Sequence, residues 1–282
     1  MNNTPTYFTV LLPISNNENS LSQCLTSISS QLFTDFNVLC ILNNSVDESL
    51  QIVINFCNKY THFSYIELGD SVHNLSQALN CALNTLESKC RYFVRHDADD
   101  YMLPHRLLWT YEYLENSLSK PLIHCGNAFI NDTSTLIYPN SHNPSSSSLK
   151  TSLLLHSPFI HPSICFRSDL NIRYDERFKY AQDLKLLIDY LHFGNYSFDP
   201  RPYIYYTFNP PSPQKRILQL LLHDYAINTL HKQLIPGFSF RYSHYLRTKY
   251  ITNEFTMYSP SSYLDIHSIY NRLQFSLSKL LD

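Results

Sequence analysis

The chain has 282 residues and a formal net charge of −2, and its 44% hydrophobic content is enough for one large domain with a full core. A net charge so close to zero argues against general nucleic-acid binding. Four glycines are too few for a glycine-rich phosphate loop, and neither G-x-G-x-x-G nor a Walker sequence occurs. A bound nucleotide would therefore be held by side chains and a metal ion.

The seven cysteines are scattered, and no pair has the spacing of a metal site. An odd number of cysteines without the spacing of a metal site is typical of a cytoplasmic protein whose thiols are reduced. The first six residues are uncharged, so we expect no signal peptide, and no apolar run reaches the roughly 18 residues that span a bilayer. The sequence therefore predicts a cytoplasmic location.

The first hundred residues alternate between strand and helix patterns. Short apolar stretches predict four strands, at 7–12, 37–42, 63–68 and 91–96. Between them, apolar residues recur at helical spacing over 21–32, 50–57 and 75–86. This alternation predicts an α/β fold with a mostly parallel sheet that is covered by helices on both faces.

The second half has fewer regular signals. Pro104 is expected at the first position of a helix that reaches Leu114, and later patterns predict strands at 122–130 and 164–166 and a helix at 184–191. The Ser/Asn/Pro-rich stretch 139–149 is expected to form a mobile loop.

The proline-rich segment 209–213 predicts a boundary between a domain at 1–212 and a helical extension at 213–282. Amphipathic stretches at 214–235 and 262–281 combine Leu and Ile with Tyr, Lys and Arg. They fit a peripheral contact with the inner face of the membrane or a homo-oligomer contact, and a helical cap on the main domain is an equal alternative. We expect the extension to position the protein rather than to take part in chemistry.

The segment from Arg95 to Asp100 reads Arg-His-Asp-Ala-Asp-Asp and is the most informative in the chain. It places three carboxylates directly after a predicted strand, at the sheet edge where open α/β folds bind ligands. Crowded carboxylates are stable in water or around a cation, and their oxygens suit Mg²⁺ or Mn²⁺, which commonly bridge to substrate phosphates. The segment predicts a metal–diphosphate site, and an acidic turn before a helix is the alternative.

Further segments, taken in chain order, carry a resemblance to a known family. They are 10–16, 25–31, 42–47, 78–80 and 174–183. Together with Asp97-Ala98-Asp99-Asp100 and the following Pro104, they resemble the opening strand, first helix and acidic motifs of the family 2 glycosyltransferases, an inverting group with the GT-A fold. The resemblance extends to about residue 210 and leaves out the extension.

The resemblance implies a Rossmann-like GT-A domain with a nucleotide-sugar-binding half at 1–100 and an acceptor half at 101–212. It implies transfer of a sugar from a nucleotide donor, with UDP as the expected nucleotide, to a hydroxyl of a glycan or lipid-linked saccharide. Lipooligosaccharide or capsule synthesis in bacteria is the implied setting. Mn²⁺ or Mg²⁺ is the implied cofactor.

By the same resemblance, the donor would be bound by Pro13, Ser15, Asn43, Asn80, Asp97 and Asp99. Asp99 would also ligate the metal, and Asp183 would be the general base that takes the proton of the acceptor hydroxyl. Further candidates for the same cleft are Arg95, Asp100, His161 and Gln182.

Structural roles remain open for several of these residues. Asp100 is expected either beside the metal site or as a helix cap, and Asp183 could be a capping residue at a helix start. Arg95 could simply pair with the acidic segment, and Gln182 could be an exposed loop residue.

Departures from the family pattern lie mainly on the donor side. Ser15 stands where an aromatic residue would lie against the base, and Asn43 stands where an acidic residue would accept from the uracil N3–H. An amide both accepts and donates, so Asn43 determines the base less strictly. Gln182 replaces a glutamate, and Thr207 stands where many members have arginine.

Two other functions fit parts of the sequence. A metal phosphohydrolase could use His96, Asp97 and Asp99, although no further His/Asp cluster supplies a second metal site. A non-catalytic nucleotide- or glycan-binding module would account for Ser15, Asn43 and Gln182. Release of UDP, of phosphate or of neither from UDP-sugars would separate the three hypotheses.

Overall fold

The computed structural model describes residues 5–86, 90–118, 120–130, 159–190 and 195–209, the strand at 136–137, and the single positions 157, 193, 212, 215, 218, 219, 222 and 226. The predicted loop at 139–149 and almost all of the predicted extension lie outside the described residues, so the domain boundary stays a prediction. In the part of the chain that the structure describes, no helix is long and apolar enough to cross a membrane.

The first hundred residues form three strand–helix units and a fourth strand, as the alternating pattern predicts. The strands are β1 (Thr6–Ile14), β2 (Phe36–Asn43), β3 (Phe63–Leu68) and β4 (Cys90–Arg95), and the helices are α1 (Glu18–Ser29), α2 (Ser49–Lys59) and α3 (Leu75–Thr85). The four strands are parallel in the order β3-β2-β1-β4. Their carboxyl ends therefore lie at one edge of the sheet.

The second half extends the same sheet. Its elements are β5 (Tyr101–Met102), α4 (Arg106–Asn116), β6 (Ile123–Ile130), β7 (Leu136–Ile137), β8 (Ile164–Arg167), α5 (Gln182–Tyr190) and β9 (Tyr196–Tyr206). The order continues from β4 through β8, β6 and β9 to β5, with β7 beside β6. β8 runs antiparallel to both neighbours, whereas β6 and β9 are parallel, so the sheet is mixed.

Helices cover both faces of this sheet because alternate strand residues point to opposite sides. Leu11 of β1 belongs to a core formed with α3 and α5, whereas Val10 and Leu12 belong to a core formed with α1, α2 and α4. β1 is therefore apolar on both faces, which explains its short continuous apolar run in the sequence.

Two sequence expectations about helix limits are wrong. Leu32 was expected on the buried face of α1, but α1 ends at Ser29 and Leu32 is 55% exposed. The chain leaves the helix because the Leu32 N–H donates to the Pro104 carbonyl oxygen at 3.0 Å. Pro104 is not the first residue of α4, which begins two residues later at Arg106.

β9 has no counterpart among the predicted strands. Pro200 and Pro202 interrupt its apolar pattern, and the sheet accommodates this segment by a register shift around Gly126 and Asn127 of β6. The Tyr203 ring lies so close to Gly126 that a Cβ at this position would overlap it. Glycine is required here by close approach rather than by turn geometry.

Candidate active site

Two loops at the carboxyl ends of β1 and β2 hold each other through short polar side chains. The Asn16 N–H donates to the Ser45 hydroxyl at 3.3 Å, and the Val46 N–H donates to Asn16 Oδ1 at 2.9 Å. Asn16 and Asn44 have φ angles of 55° and 51°, in the left-handed region that asparagine tolerates better than most residues. The loops therefore form one rim of the sheet edge.

The predicted donor-side residues Pro13, Ser15 and Asn43 lie at this rim. Pro13 is in β1 beside Ile41 of β2, Ser15 is exposed just after β1, and Asn43 ends β2. Among the described residues, no group forms a hydrogen bond with the buried Oδ1 of Asn43. A buried acceptor without a partner costs about 1–3 kcal/mol, so it is suited to receive a donor group from a ligand.

The carboxylates of Asp97, Asp99 and Asp100 converge in a turn after β4. The Asp100 N–H donates to the Asp97 carbonyl oxygen at 3.2 Å, and one carboxylate oxygen from each residue lies within 4.8 Å of the others. Within the described residues, this is the one group of three His, Cys, Asp or Glu side chains that could hold a metal ion. Three converging oxygens suit a hard divalent cation.

Asp100 does not cap a helix, so that interpretation is wrong. It is buried, and its Oδ1 accepts from the Thr207 N–H at 2.8 Å, just after β9, while His105 is the cap of α4. Its buried Oδ2 has no hydrogen-bond partner among the described residues. Burial, with the charge of Asp97, raises the pKa of Asp100 to about 8, so this oxygen is well placed for a proton or a cation.

Two buried arginines lie beneath the acidic turn. Arg95 forms an ion pair with Asp97 and donates to the His96 carbonyl oxygen, so the predicted charge pairing of Arg95 is confirmed. Arg106, which sequence analysis missed, donates to the Arg95 carbonyl oxygen at 2.7 Å and contacts His96 Nδ1 at 3.0 Å. Burial and then the charges of Arg106 and Arg95 lower the pKa of His96 well below its ordinary value, so its neutral ring accepts from Arg106.

The segment before α5 carries an unusual backbone conformation. Ala181 has a φ angle of 55°, in the left-handed region, which costs an ordinary residue roughly 1–2 kcal/mol. Gln182 is the first residue of α5 and Asp183 lies in its first turn. Such strain is typical of functional sites, where the surrounding structure fixes a side chain.

Asp183 lies close enough to the acidic turn to interact with it electrostatically. Burial raises the pKa of the Asp183 carboxyl, hydrogen bonds from the Leu184 N–H and the Ser157 hydroxyl oppose the rise, and the charge of Asp97 adds to it. The charge of Asp97 thus acts on the predicted base, although the two residues are far apart in the sequence.

His161 and Asn80 both contact the segment that precedes Asp183. His161 Nε2 lies 3.0 Å from the Tyr174 hydroxyl, and burial followed by the charge of Arg95 lowers the pKa of His161. Asn80 accepts from the Tyr174 N–H and donates to the Tyr174 carbonyl oxygen and to Glu176, each at 2.9 Å. Asn80 therefore secures this segment, and its contact with a donor stays a prediction.

Tyr206 is a site residue that sequence analysis missed because it lies in β9. Burial raises the pKa of its hydroxyl, and the charges of Asp97, Asp100, Asp99 and Asp183 add to the rise. Tyr206 and Thr207 also line a small pocket of about 70 Å³ with Asp99 and Asp100. The tyrosine therefore lies beside the acidic turn.

The fold and the acidic turn define a GT-A-like α/β protein. S. aureus TarS 1-349 in complex with UDP-GlcNAc matches with a TM-score of 0.64 at 18% identity, covering 89% of this chain and 73% of that chain. Glucosyl-3-phosphoglycerate synthase from Mycobacterium tuberculosis, in complex with Mn²⁺, UDP and glucosyl-3-phosphoglycerate, matches with a TM-score of 0.58 at 14% identity. The match covers 82% of this chain and 81% of that chain. At these identities the likeness shows the fold alone, and it confirms the predicted fold class.

The family model for glycosyl transferase family 2 matches residues 9–171, which is more than half of the chain. The chain belongs to this family, and the predicted family is confirmed. A Rickettsia prowazekii glycosyltransferase described as uncharacterized is 26% identical over 205 residues, 67% of this chain. The poly(ribitol-phosphate) beta-glucosyltransferase of Bacillus spizizenii is 28% identical over 112 residues, 39% of this chain. The matched regions span 60% and 17% of the length of these relatives.

Proposed function

We propose that this chain is an inverting glycosyltransferase that moves a sugar from a UDP-linked donor to a hydroxyl of a glycan or lipid-linked saccharide. The observation that supports this most strongly is the acidic turn, where one carboxylate oxygen from each of Asp97, Asp99 and Asp100 lies within 4.8 Å of the others. Asp183, whose pKa is raised by burial and by the charge of Asp97, would supply the general base. This is the set of groups that direct displacement at an anomeric carbon requires.

On the donor side, the unpartnered Oδ1 of Asn43 is suited to accept from a base N–H. Pro13 and Ser15 would border the base, and Asp97 would contact the ribose. A cleft of about 420 Å³ lies at the carboxyl ends of β2 and β3, and it is lined by Leu42 and Asn44 on either side of Asn43 in the sequence. UDP is our choice of nucleotide because solved structures of TarS contain UDP and UDP-GlcNAc.

Mn²⁺ or Mg²⁺ fits the oxygen ligands of the acidic turn. Asp99 would be the main ligand, and the unpartnered Oδ2 of Asp100 is a further oxygen at the same place. When bound, such an ion neutralises charge that develops on the departing diphosphate.

Asp183 would take the proton as the acceptor hydroxyl attacks the anomeric carbon. Burial raises its pKa, which makes its carboxylate a stronger base than an exposed aspartate. The hydroxyl enters opposite to the diphosphate, so a single displacement inverts the configuration. Gln182 and Tyr206 would orient the acceptor or the diphosphate by hydrogen bonds.

For the acceptor, we propose a bacterial surface glycan, in line with the poly(ribitol-phosphate) beta-glucosyltransferase name of the Bacillus relative. A lipid-linked acceptor would place the protein on the inner face of the cytoplasmic membrane. Sedimentation with anionic liposomes and light scattering test membrane contact and homo-oligomer formation, respectively.

The proposed activity is tested by incubating the protein with a panel of UDP-sugars and Mn²⁺ in the absence of an acceptor. We expect slow, metal-dependent release of UDP, because water substitutes for the acceptor hydroxyl. Release of inorganic phosphate would instead support the phosphohydrolase, and nucleotide binding without any turnover would support the binding module. Omission of Mn²⁺ and addition of a chelator are the controls.

A further inference from the structure

The backbone of the acidic turn is held from two sides. On the side of α1, the Ser20 hydroxyl donates to the Ala98 carbonyl oxygen at 3.1 Å, and the Cys24 thiol donates to the Asp97 carbonyl oxygen at 3.5 Å. On the other side lies Thr207, which directly follows β9. The position of the turn therefore depends on two segments that are far from it in the sequence.

Thr207 contacts two consecutive residues of the turn. Its hydroxyl donates to the Asp99 carbonyl oxygen at 2.5 Å, and its N–H donates to Asp100 Oδ1 at 2.8 Å. Two contacts from one residue fix both the position and the orientation of the peptide group that links Asp99 to Asp100. The contact with Oδ1 also leaves the buried Oδ2 of Asp100 as the oxygen without a partner among the described residues. Thr207 therefore influences which carboxylate oxygens can reach a cation.

The residue type at position 207 suits a short-range contact with the turn. Threonine is branched at Cβ, so its hydroxyl has few rotamers and stays close to its own backbone. The arginine that many family members have at this place carries a charge at the end of a long stem. Thr207 also lines the pocket of about 70 Å³ together with Asp99 and Asp100. Its hydroxyl can therefore hold the turn beside the predicted metal ligands, and it supplies no charge of its own.

We propose that Thr207 is a positioning residue for the predicted metal site, and that its hydroxyl orients the turn so that the carboxylates of Asp99 and Asp100 converge on one cation. This inference rests on the proposed function, in which Mn²⁺ or Mg²⁺ binds at the turn. Thr207 acts through the two aspartates and does not ligate the ion. Hydrogen-bond partners that orient metal ligands typically change metal affinity by a factor of about 10–100.

The alternative is that Thr207 only attaches the end of β9 to the turn and adds to the stability of the fold. The two roles differ in the quantity that they affect. Loss of a structural hydrogen bond lowers the free energy of unfolding by about 0.5–1.5 kcal/mol, and it leaves metal affinity unchanged while the protein is folded. Loss of a positioning contact lowers metal affinity even at temperatures far below the thermal midpoint.

The test compares Thr207→Val, which keeps the branched shape and the backbone N–H but removes the hydroxyl, with Thr207→Ser, which keeps the hydroxyl. Thr26→Val is the matched control, because the exposed Thr26 hydroxyl also donates to a backbone carbonyl oxygen, that of Ser22 at 2.7 Å within α1. Binding of Mn²⁺ alone to the full chain is measured by electron paramagnetic resonance, well below the thermal midpoint of each variant. We expect Thr207→Val to weaken Mn²⁺ binding about tenfold or more. Thr207→Ser should recover most of the affinity, and Thr26→Val should match the wild type.

Two results would overturn the inference while the proposed function stands. One is wild-type Mn²⁺ affinity in Thr207→Val, and the other is an equal loss of affinity in Thr207→Ser, which would indicate a packing effect of the methyl group rather than a lost hydrogen bond. If the wild-type protein binds no Mn²⁺, the proposed metal site is wrong and the inference fails with it. If it binds Mn²⁺ but releases UDP from no UDP-sugar, the proposed function is contradicted, and the Mn²⁺ affinities of the variants still decide the role of Thr207.

Discussion

Replacing Asp183 with asparagine removes the predicted proton acceptor while preserving the size of the side chain. The amide oxygen of asparagine can still accept from the Leu184 N–H and the Ser157 hydroxyl, so we expect α5 to keep its position. Loss of a general base typically lowers the rate by about 10²–10⁴-fold. We therefore expect UDP release to fall by that factor and UDP affinity to remain close to the wild-type value.

The pH dependence gives a second measure of the same residue. The base must be ionised to accept a proton, and burial raises the pKa of Asp183 above its ordinary value of about 3.9. Wild-type activity should therefore fall as the pH falls through this raised pKa, at a higher pH than for an exposed aspartate. In Asp183→Asn, the residual activity should lack that acidic limb.

The assay is UDP release from the active UDP-sugar across a pH series, with calorimetry for UDP affinity. Asp189→Asn is the control, because Asp189 lies on the same helix but pairs with Lys185. Asp183→Asn with near wild-type turnover would refute the assignment of the base. Lost UDP affinity with intact turnover at saturation would make Asp183 a binding residue instead.

Three further outcomes are expected. Asp99→Ala should abolish metal-dependent UDP release with little change in the thermal midpoint, because a partly solvated carboxylate adds little to the core; normal turnover would contradict the metal site. Asn80→Ala should lower the midpoint by several degrees in calorimetry, since each backbone group of Tyr174 that loses its partner costs about 1–3 kcal/mol; an unchanged midpoint would contradict the role of Asn80 in securing this segment. Gly126→Ala should destabilise the protein by about 1–3 kcal/mol in denaturant titrations, because the new Cβ overlaps the Tyr203 ring, and full stability would show that the ring can move away.

The parallel half of the sheet could be predicted because its signals are local. Each of β1 to β4 is a short apolar run, and each helix between them buries one face with its own periodicity. The start of α3 is likewise local, since the side chain of Asn74 accepts from the Gln77 N–H and caps the helix. Local chemistry of this kind can be recognised in a window of a few residues.

The rest of the site depends on contacts between distant segments, which no local pattern contains. The Thr207 N–H that binds Asp100 is 107 residues away in the sequence. Arg106 gives no signal of burial, because its partners are the backbone and ring of the preceding strand and turn. β9 could not be predicted because its prolines are typical of a loop. The register shift that accommodates them arises only from the pairing of β9 with β6.

The left-handed residues of this chain affect the unfolded state as well as the folded one. Asn16, Asn44 and Asn171, with φ angles of 55°, 51° and 46°, occupy turns where glycine is the usual residue. A side chain restricts the unfolded chain at such a position, an effect of about 0.4–1 kcal/mol per residue when the native conformation is tolerated. The two asparagines at the rim thus reduce the entropy that is lost when their loops become ordered. In the folded state, the hydrogen bonds of Asn16 with Ser45 and Val46 join the two loops, so a nucleotide that bound at this rim would require less reordering of them.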